Sequence, residues 1–403
     1  MPTMLDSYRR IFTRPTALFS LTGLVARLPI SMVGLGIVLL AEQETGSYGF
    51  AGAVSAVALV ANALFAIAQG RLIDRLGQGR VLSVVITIWG VGLAATMWSL
   101  QAGWPHWVTF LLAAVAGAAL PSVGTCVRAR WSAVVKDAAR LHTAYSFEAV
   151  ADEVVYLVGP ILVTMLATGV HPAAGLIAAL VTGLGGTYVF ASLRATEPPT
   201  GSGSAAGAVR PAMPWRAIVP LTLLMLALGA LFGAAEVATV AFTDERGHKG
   251  VTGFLLATWS FGSLVAGLVS GAVTWRRGVL FRLRWGACGM AAAMALLPLV
   301  PSIPVMFAVL LVGGLAISPT LIAAMSLAEQ VLPASRLTEG MAFLQTGIAA
   351  GLAPGAALAG VVIDAAGASP AYLVALGGGV VALLSALGTK VPAKRIDVTP
   401  SAV

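Results

Sequence analysis

Hydrophobic residues in this chain neither alternate nor recur at the spacing of a half-buried helix. They run on for about 20 residues at a time between short clusters of charge, Pro or Gly. A bilayer core about 30 Å thick takes about 20 apolar residues per helix, so each run predicts a membrane span. Twelve are placed, over residues 17–40, 48–69, 81–100, 107–127, 143–168, 173–193, 217–242, 252–273, 283–299, 305–327, 340–363 and 371–387. Short connections make successive spans antiparallel, so alternate loops lie on opposite sides. The expected fold is an all-α integral membrane protein.

The charges sort by side. Of the 24 Lys and Arg residues, 21 fall on the side of the chain ends, two (Arg246 and Lys249) on the other, and Arg27 inside the first span. An odd number of spans would destroy this asymmetry. Because Lys and Arg collect in cytoplasmic loops, both termini are expected in the cytoplasm of a multi-pass protein of the cell's inner (plasma) membrane. The first run outlasts a signal-peptide core and no small-residue cleavage site follows it, so it is expected to be a retained helix.

Composition agrees: 58% of residues are hydrophobic and only 10% charged, too few to cover a soluble body. The net charge of +8 therefore reflects inner loops and the lipid bilayer, not a nucleic-acid partner. Cys126 and Cys288 fall in or beside apolar stretches and offer neither a disulfide framework nor a thiolate metal site.

The one long polar stretch, residues 194–216 with TEPPTGSGSAAGAVRP at its heart, has the composition of a flexible linker. It divides a six-helix half, 1–193, from another, 217–403. RLHTAYSF at 140–147 and RLTEGMAF at 336–343 share Arg, Leu and Phe, and the same offset aligns Gly117 with Gly313, Ser122 with Ser318 and Gly159 with Gly355. GRLIDRLG at 70–77 is echoed by GAVTWRRG at 271–278. These matches predict two pseudo-symmetric six-helix bundles in parallel repeat.

The run Gly70, Arg71, Leu72, Ile73, Asp74, Arg75, Leu76, Gly77, Gln78, Gly79, Arg80 falls in the second-to-third loop. Its glycines permit a tight turn with close helix approach, Asp74 suits a helix N-terminus or a guanidinium partner, and Arg75 and Arg80 suit the interface. It resembles the loop signature of the major facilitator superfamily, and the resemblance covers nearly the whole chain apart from the termini and linker. It implies two bundles rocking about a central cavity in alternating access, a monomer, and a conformational-switch role for the loop, in which Asp74 latches the outward-open state across the bundle interface. Trp275 stands where the second half would place that Asp, so the latch should be asymmetric. Helix five keeps the Gly159 and Pro160 kink of the drug/proton antiporters of this superfamily but has Val163 and Thr164 where they have a glycine pair. Helix four has Ala113 and Ala114 where they have an arginine. The run EAVADEVVYLVGP resembles that of actinobacterial permeases of the superfamily.

An ionisable residue at mid-bilayer costs about 2.5 to 3.5 kcal/mol on the insertion scale, which marks it as a functional candidate. Glu148, Asp152 and Glu153 lie in helix five, the first two on one face with Tyr156 and Gly159. Crowding and desolvation make at least one of them a candidate to exchange a proton near neutral pH. Arg27, about 15 Å into helix one, lies at a similar depth, and in the superfamily fold helices one and five are neighbours. An ion pair of Arg27 with Asp152 or Glu148 is expected, either as a proton-coupling switch or as a permanent link between helices. Asn62, Trp259 and Gln345 near mid-span, with Tyr156, are substrate-cavity candidates or packing contacts, and Glu236 in helix seven is a gating or snorkelling candidate.

His106, His142, His171 and His248 all fall at helix ends or in loops, and no nucleotide loop, zinc-ligand pair or nucleophile elbow is present. No cofactor or metal and no enzymatic activity are expected. The resemblance and these residues point to a proton-coupled secondary transporter exporting a small amphipathic organic molecule. The alternatives are proton-linked uptake, or a non-coupled lipid-moving or sensing protein of the same fold. Few polar anchors suit hydrophobic metabolites or drugs better than sugars.

Overall fold

A computed structural model describes residues 11–199, 213–272, 277–332 and 336–389. Twelve helices long and apolar enough to cross a membrane occur among them, one at each expected run. They are α1 (Arg14–Thr45), α2 (Tyr48–Leu76), α3 (Gln78–Gln101), α4 (His106–Val134), α5 (Ala138–Gly169), α6 (Ala174–Ser192), α7 (Trp215–Asp244), α8 (Thr252–Ala272), α9 (Val279–Leu296), α10 (Ile303–Val331), α11 (Leu337–Ala366) and α12 (Ala368–Gly388). Trp275 and most of the linker lie outside the described residues.

Several helices outlast their apolar runs, since a charge ends a hydrophobic count without ending a helix. The fourth span, expected to stop at residue 127, continues to Val134 and carries Arg128 and Arg130 inside it. It breaks between Ala119 and Val123, around Pro121. The carbonyls freed there are satisfied by α2: Asn62 donates to Leu120 O at 3.0 Å and Gln69 to Ala118 O at 2.6 Å. The ninth span starts at Val279, four residues before the expected boundary, and includes Arg282.

Large apolar side chains such as Leu64, Val91 and Val312 point outward from the bundle, as lipid-facing residues do. Inward contacts rely on small residues that let backbones approach. A Cβ on Gly355 of α11 would stand 2.0 Å from Ala230 O of α7, and one on Gly159 of α5 would stand 2.0 Å from Ser31 Oγ of α1. The two glycines aligned by the internal repeat thus sit at corresponding helix pairs, α5 on α1 and α11 on α7. Helices α1 to α6 pack mainly among themselves, as do α7 to α12, and the halves meet chiefly along α2 with α11 and α5 with α8. We call the end bearing the α1–α2, α7–α8 and α11–α12 turns distal, and the opposite end, toward the chain termini, proximal.

Candidate functional site

Arg27 sits in the middle of α1, where its stem passes Gly124 of α4 and its Nε donates to Gly23 O one turn back. The guanidinium then divides between two carboxylates of α5. Nη2 pairs with Glu148 Oε2 at 2.5 Å and Nη1 with Asp152 Oδ1 at 2.7 Å. The four-residue spacing puts both acids on the face of α5 that meets α1.

The acids are held differently. Glu148 is fully buried, and its other oxygen accepts from Ser20 Oγ of α1 at 2.6 Å and Trp131 Nε1 of α4 at 2.8 Å. Trp131 is wedged edge-on between Phe12 and Phe19, so this donor is fixed by packing. Three donors thus satisfy a sealed carboxylate. Asp152 is 30% exposed, and its second oxygen pairs with Arg128 Nη2 of α4 at 2.5 Å, an arginine that is itself 39% exposed. Glu153, on the next face of α5, is half-buried and makes no hydrogen bond or ion pair among the described residues.

Above this cluster Pro160 lacks the N–H that would bond Tyr156 O. Ser260 of α8 donates to that carbonyl at 3.4 Å, so the Gly159–Pro160 joint is also a contact between the halves. Tyr156 is exposed and lies within electrostatic reach of Asp152, Glu153 and Glu236. Glu236 of α7 is half-buried, beside Gly34 of α1, with no hydrogen bond or ion pair among the described residues. An apolar groove of about 430 Å³ between α5 and α8, lined by Leu157, Phe254 and Phe261 among others, contains no charged side chain.

A model of the Major Facilitator Superfamily matches residues 19–300. The chain belongs to the major facilitator superfamily. Solved transporter structures share its fold: the nucleoside transporter NupG (TM-score 0.71, 13% identity, covering 94% of this chain and 99% of that one), a peptide transporter POT in complex with sulfate (0.69, 13%, 93% and 93%), and a bacterial homologue of the iron transporter ferroportin in an inward-facing state (0.64, 14%, 96% and 99%). No curated protein sequence matches the chain.

The superfamily loop has an unequal structure. Gly77 alone separates α2 from α3, at φ 90°, a left-handed angle that a side chain would strain. Gly70, expected to permit close approach, lies inside α2 with open space around it. Asp74, Arg75 and Arg80 are exposed, and Asp74, expected to find a helix end or a guanidinium, makes no hydrogen bond or ion pair among the described residues.

Among the cavity candidates, Asn62 has its amide committed to the broken turn of α4. Trp259 is buried edge-on against Phe232, its indole N–H without an acceptor among the described residues. Gln345 is exposed on α11. Residue patterns missed Arg128, Trp131 and Ser20. The sign that would have found Arg128 is Gly124 four residues earlier, which leaves room beside it for a second arginine stem.

Proposed function

We propose that the protein is a proton-coupled secondary transporter in which Asp152, with Glu153 beside it, exchanges the coupling proton. The observation that carries this reading is the inequality of the two paired acids. Glu148 is sealed beneath three donors, whereas Asp152 is partly exposed and bridges two guanidiniums on different helices. Protonating Asp152 weakens its hold on Arg128 and Arg27 together and so loosens α4 and α1 from α5, while Arg27 stays on Glu148. The groups facing Asp152 are Arg27 from α1, Arg128 from α4, and Glu148, Glu153 and Tyr156 from its own helix, with Glu236 reaching the same space from α7.

Small amphipathic organic molecules suit a site in which the exposed Tyr156 supplies aromatic surface and few free polar groups accompany it. Export from the cytoplasm is the direction proposed, with the proximal end inside, as the charge asymmetry of the loops supports. The test is transport in proteoliposomes with an imposed pH gradient, using the fluorescent amphiphile ethidium as probe. Asp152→Asn and Glu153→Gln should abolish gradient-driven accumulation while leaving ethidium equilibration across the membrane. Accumulation equal to wild type in both variants would refute proton coupling through these acids.

A further inference from the structure

Away from the charge cluster, one carboxylate of the second half reaches across to the first. Asp364, in the last turn of α11, accepts from the backbone N–H of Tyr48 at 2.8 Å, from that of Gly49 at 2.8 Å and from the hydroxyl of Ser47 at 2.7 Å. These three residues are the N-cap and first two positions of α2. Their N–H groups have no acceptor within their own helix, and the helix dipole adds positive potential there. Ser47 caps α2 in the ordinary way through Phe50 N at 3.1 Å, so Asp364 supplies from another bundle the acceptors that the local cap leaves out.

The approach this requires is built into the seam. A Cβ on Gly360 would stand 2.3 Å from Tyr48 O, one on Gly52 2.6 Å from Ala356 O, and one on Gly49 2.8 Å from Asp364 Oδ2. Two more cross-half contacts meet on the same short segment. Tyr48 Oη donates to Asp244 at the end of α7 at 2.7 Å, and Lys249 pairs with Glu42 at the end of α1 while reaching Asp244 at 3.3 Å. Residues 42 to 49 of the first half are thus gripped by Asp244, Lys249 and Asp364 of the second.

We propose that Asp364 is the principal latch of the distal face, holding α2 against α11 in the closed position and releasing them when that face opens. The proposal rests on the alternating-access reading. It follows from placement: the distal ends of α2 and α11 cannot separate without breaking all three Asp364 hydrogen bonds at once, and those bonds lie at an exposed turn where water replaces them without loss of the fold.

The test is a distance measurement between spin labels on Gln101→Cys and Ala366→Cys, exposed distal sites on opposite halves, in full-length protein carrying Cys126→Ala and Cys288→Ser. Asp364→Ala should raise the long-distance population about fivefold, the size expected for a lost helix cap, and Asp364→Ala with Lys249→Gln should raise it further. Distance distributions unchanged from wild type in both variants would overturn the latch. Because the readout is geometric, that failure is separate from failure of the coupling reading, which the Asp152 and Glu153 transport assay decides.

Discussion

Arg27 and Glu148, 121 residues apart in sequence, form an ion pair of 2.5 Å with side chains only 5% and 0% exposed. Their neighbour Asp152 shares Arg27 but keeps 30% of its side chain exposed. One arginine therefore belongs both to a sealed pair and to an accessible one.

Removing the arginine strands a buried carboxylate. Arg27→Gln should destabilise the protein by about 3–5 kcal/mol, read as a lowered unfolding midpoint in detergent. Arg27→Gln combined with Glu148→Gln should recover part of that loss, because no uncompensated charge then remains.

Trp131→Phe keeps the aromatic wall and deletes one donor to Glu148. The unsatisfied lone pair should cost about 1–3 kcal/mol, measured by the same unfolding assay, and transport should persist in whatever fraction stays folded.

Asp152→Asn should behave in the opposite way, with stability close to wild type and coupling lost. Its partly exposed position means that a neutral amide remains hydrated and still accepts from Arg27 and Arg128. A loss of stability as large as that of Arg27→Gln would place Asp152 with Glu148 in the structural pair.

The α7–α11 seam is a packing prediction. Gly355→Ala places a methyl 2.0 Å from Ala230 O, backbone that cannot rotate away. The helices must part, at a cost of about 1–3 kcal/mol for overpacking, whereas Gly377→Ala, with nothing within 4 Å, should be close to neutral. Comparing the two unfolding midpoints checks it.

Long apolar runs carry their own structural instruction, since a backbone in lipid must satisfy itself within one helix. That is why all twelve spans were legible from hydropathy alone. The meeting of Arg27 with the acids of α5 was legible for a related reason: a buried charge needs a partner, and few were available at that depth. Arg128 was not legible, because the apolar count stopped at Val127 and assigned the arginine to a loop, whereas the helix restarts after Pro121 and turns it back toward Asp152. Asp364 was hidden by distance along the chain, lying 315 residues from the Gly49 N–H it binds. Asn62 was legible only as either a ligand or a packing contact, and the break in α4, where its amide donates to Leu120 O, accounts for its amide.

The most direct test of the central claim is ligand-induced thermal stabilisation, screening a panel of amphipathic drugs and sugars at about pH 6 and about pH 8, either side of neutrality, with Asp152→Asn beside wild type. The account predicts an amphipathic ligand whose stabilisation differs between the two pH values in wild type and is the same at both in the variant. A ligand with equal pH dependence in both proteins would contradict it, moving the coupling proton away from Asp152.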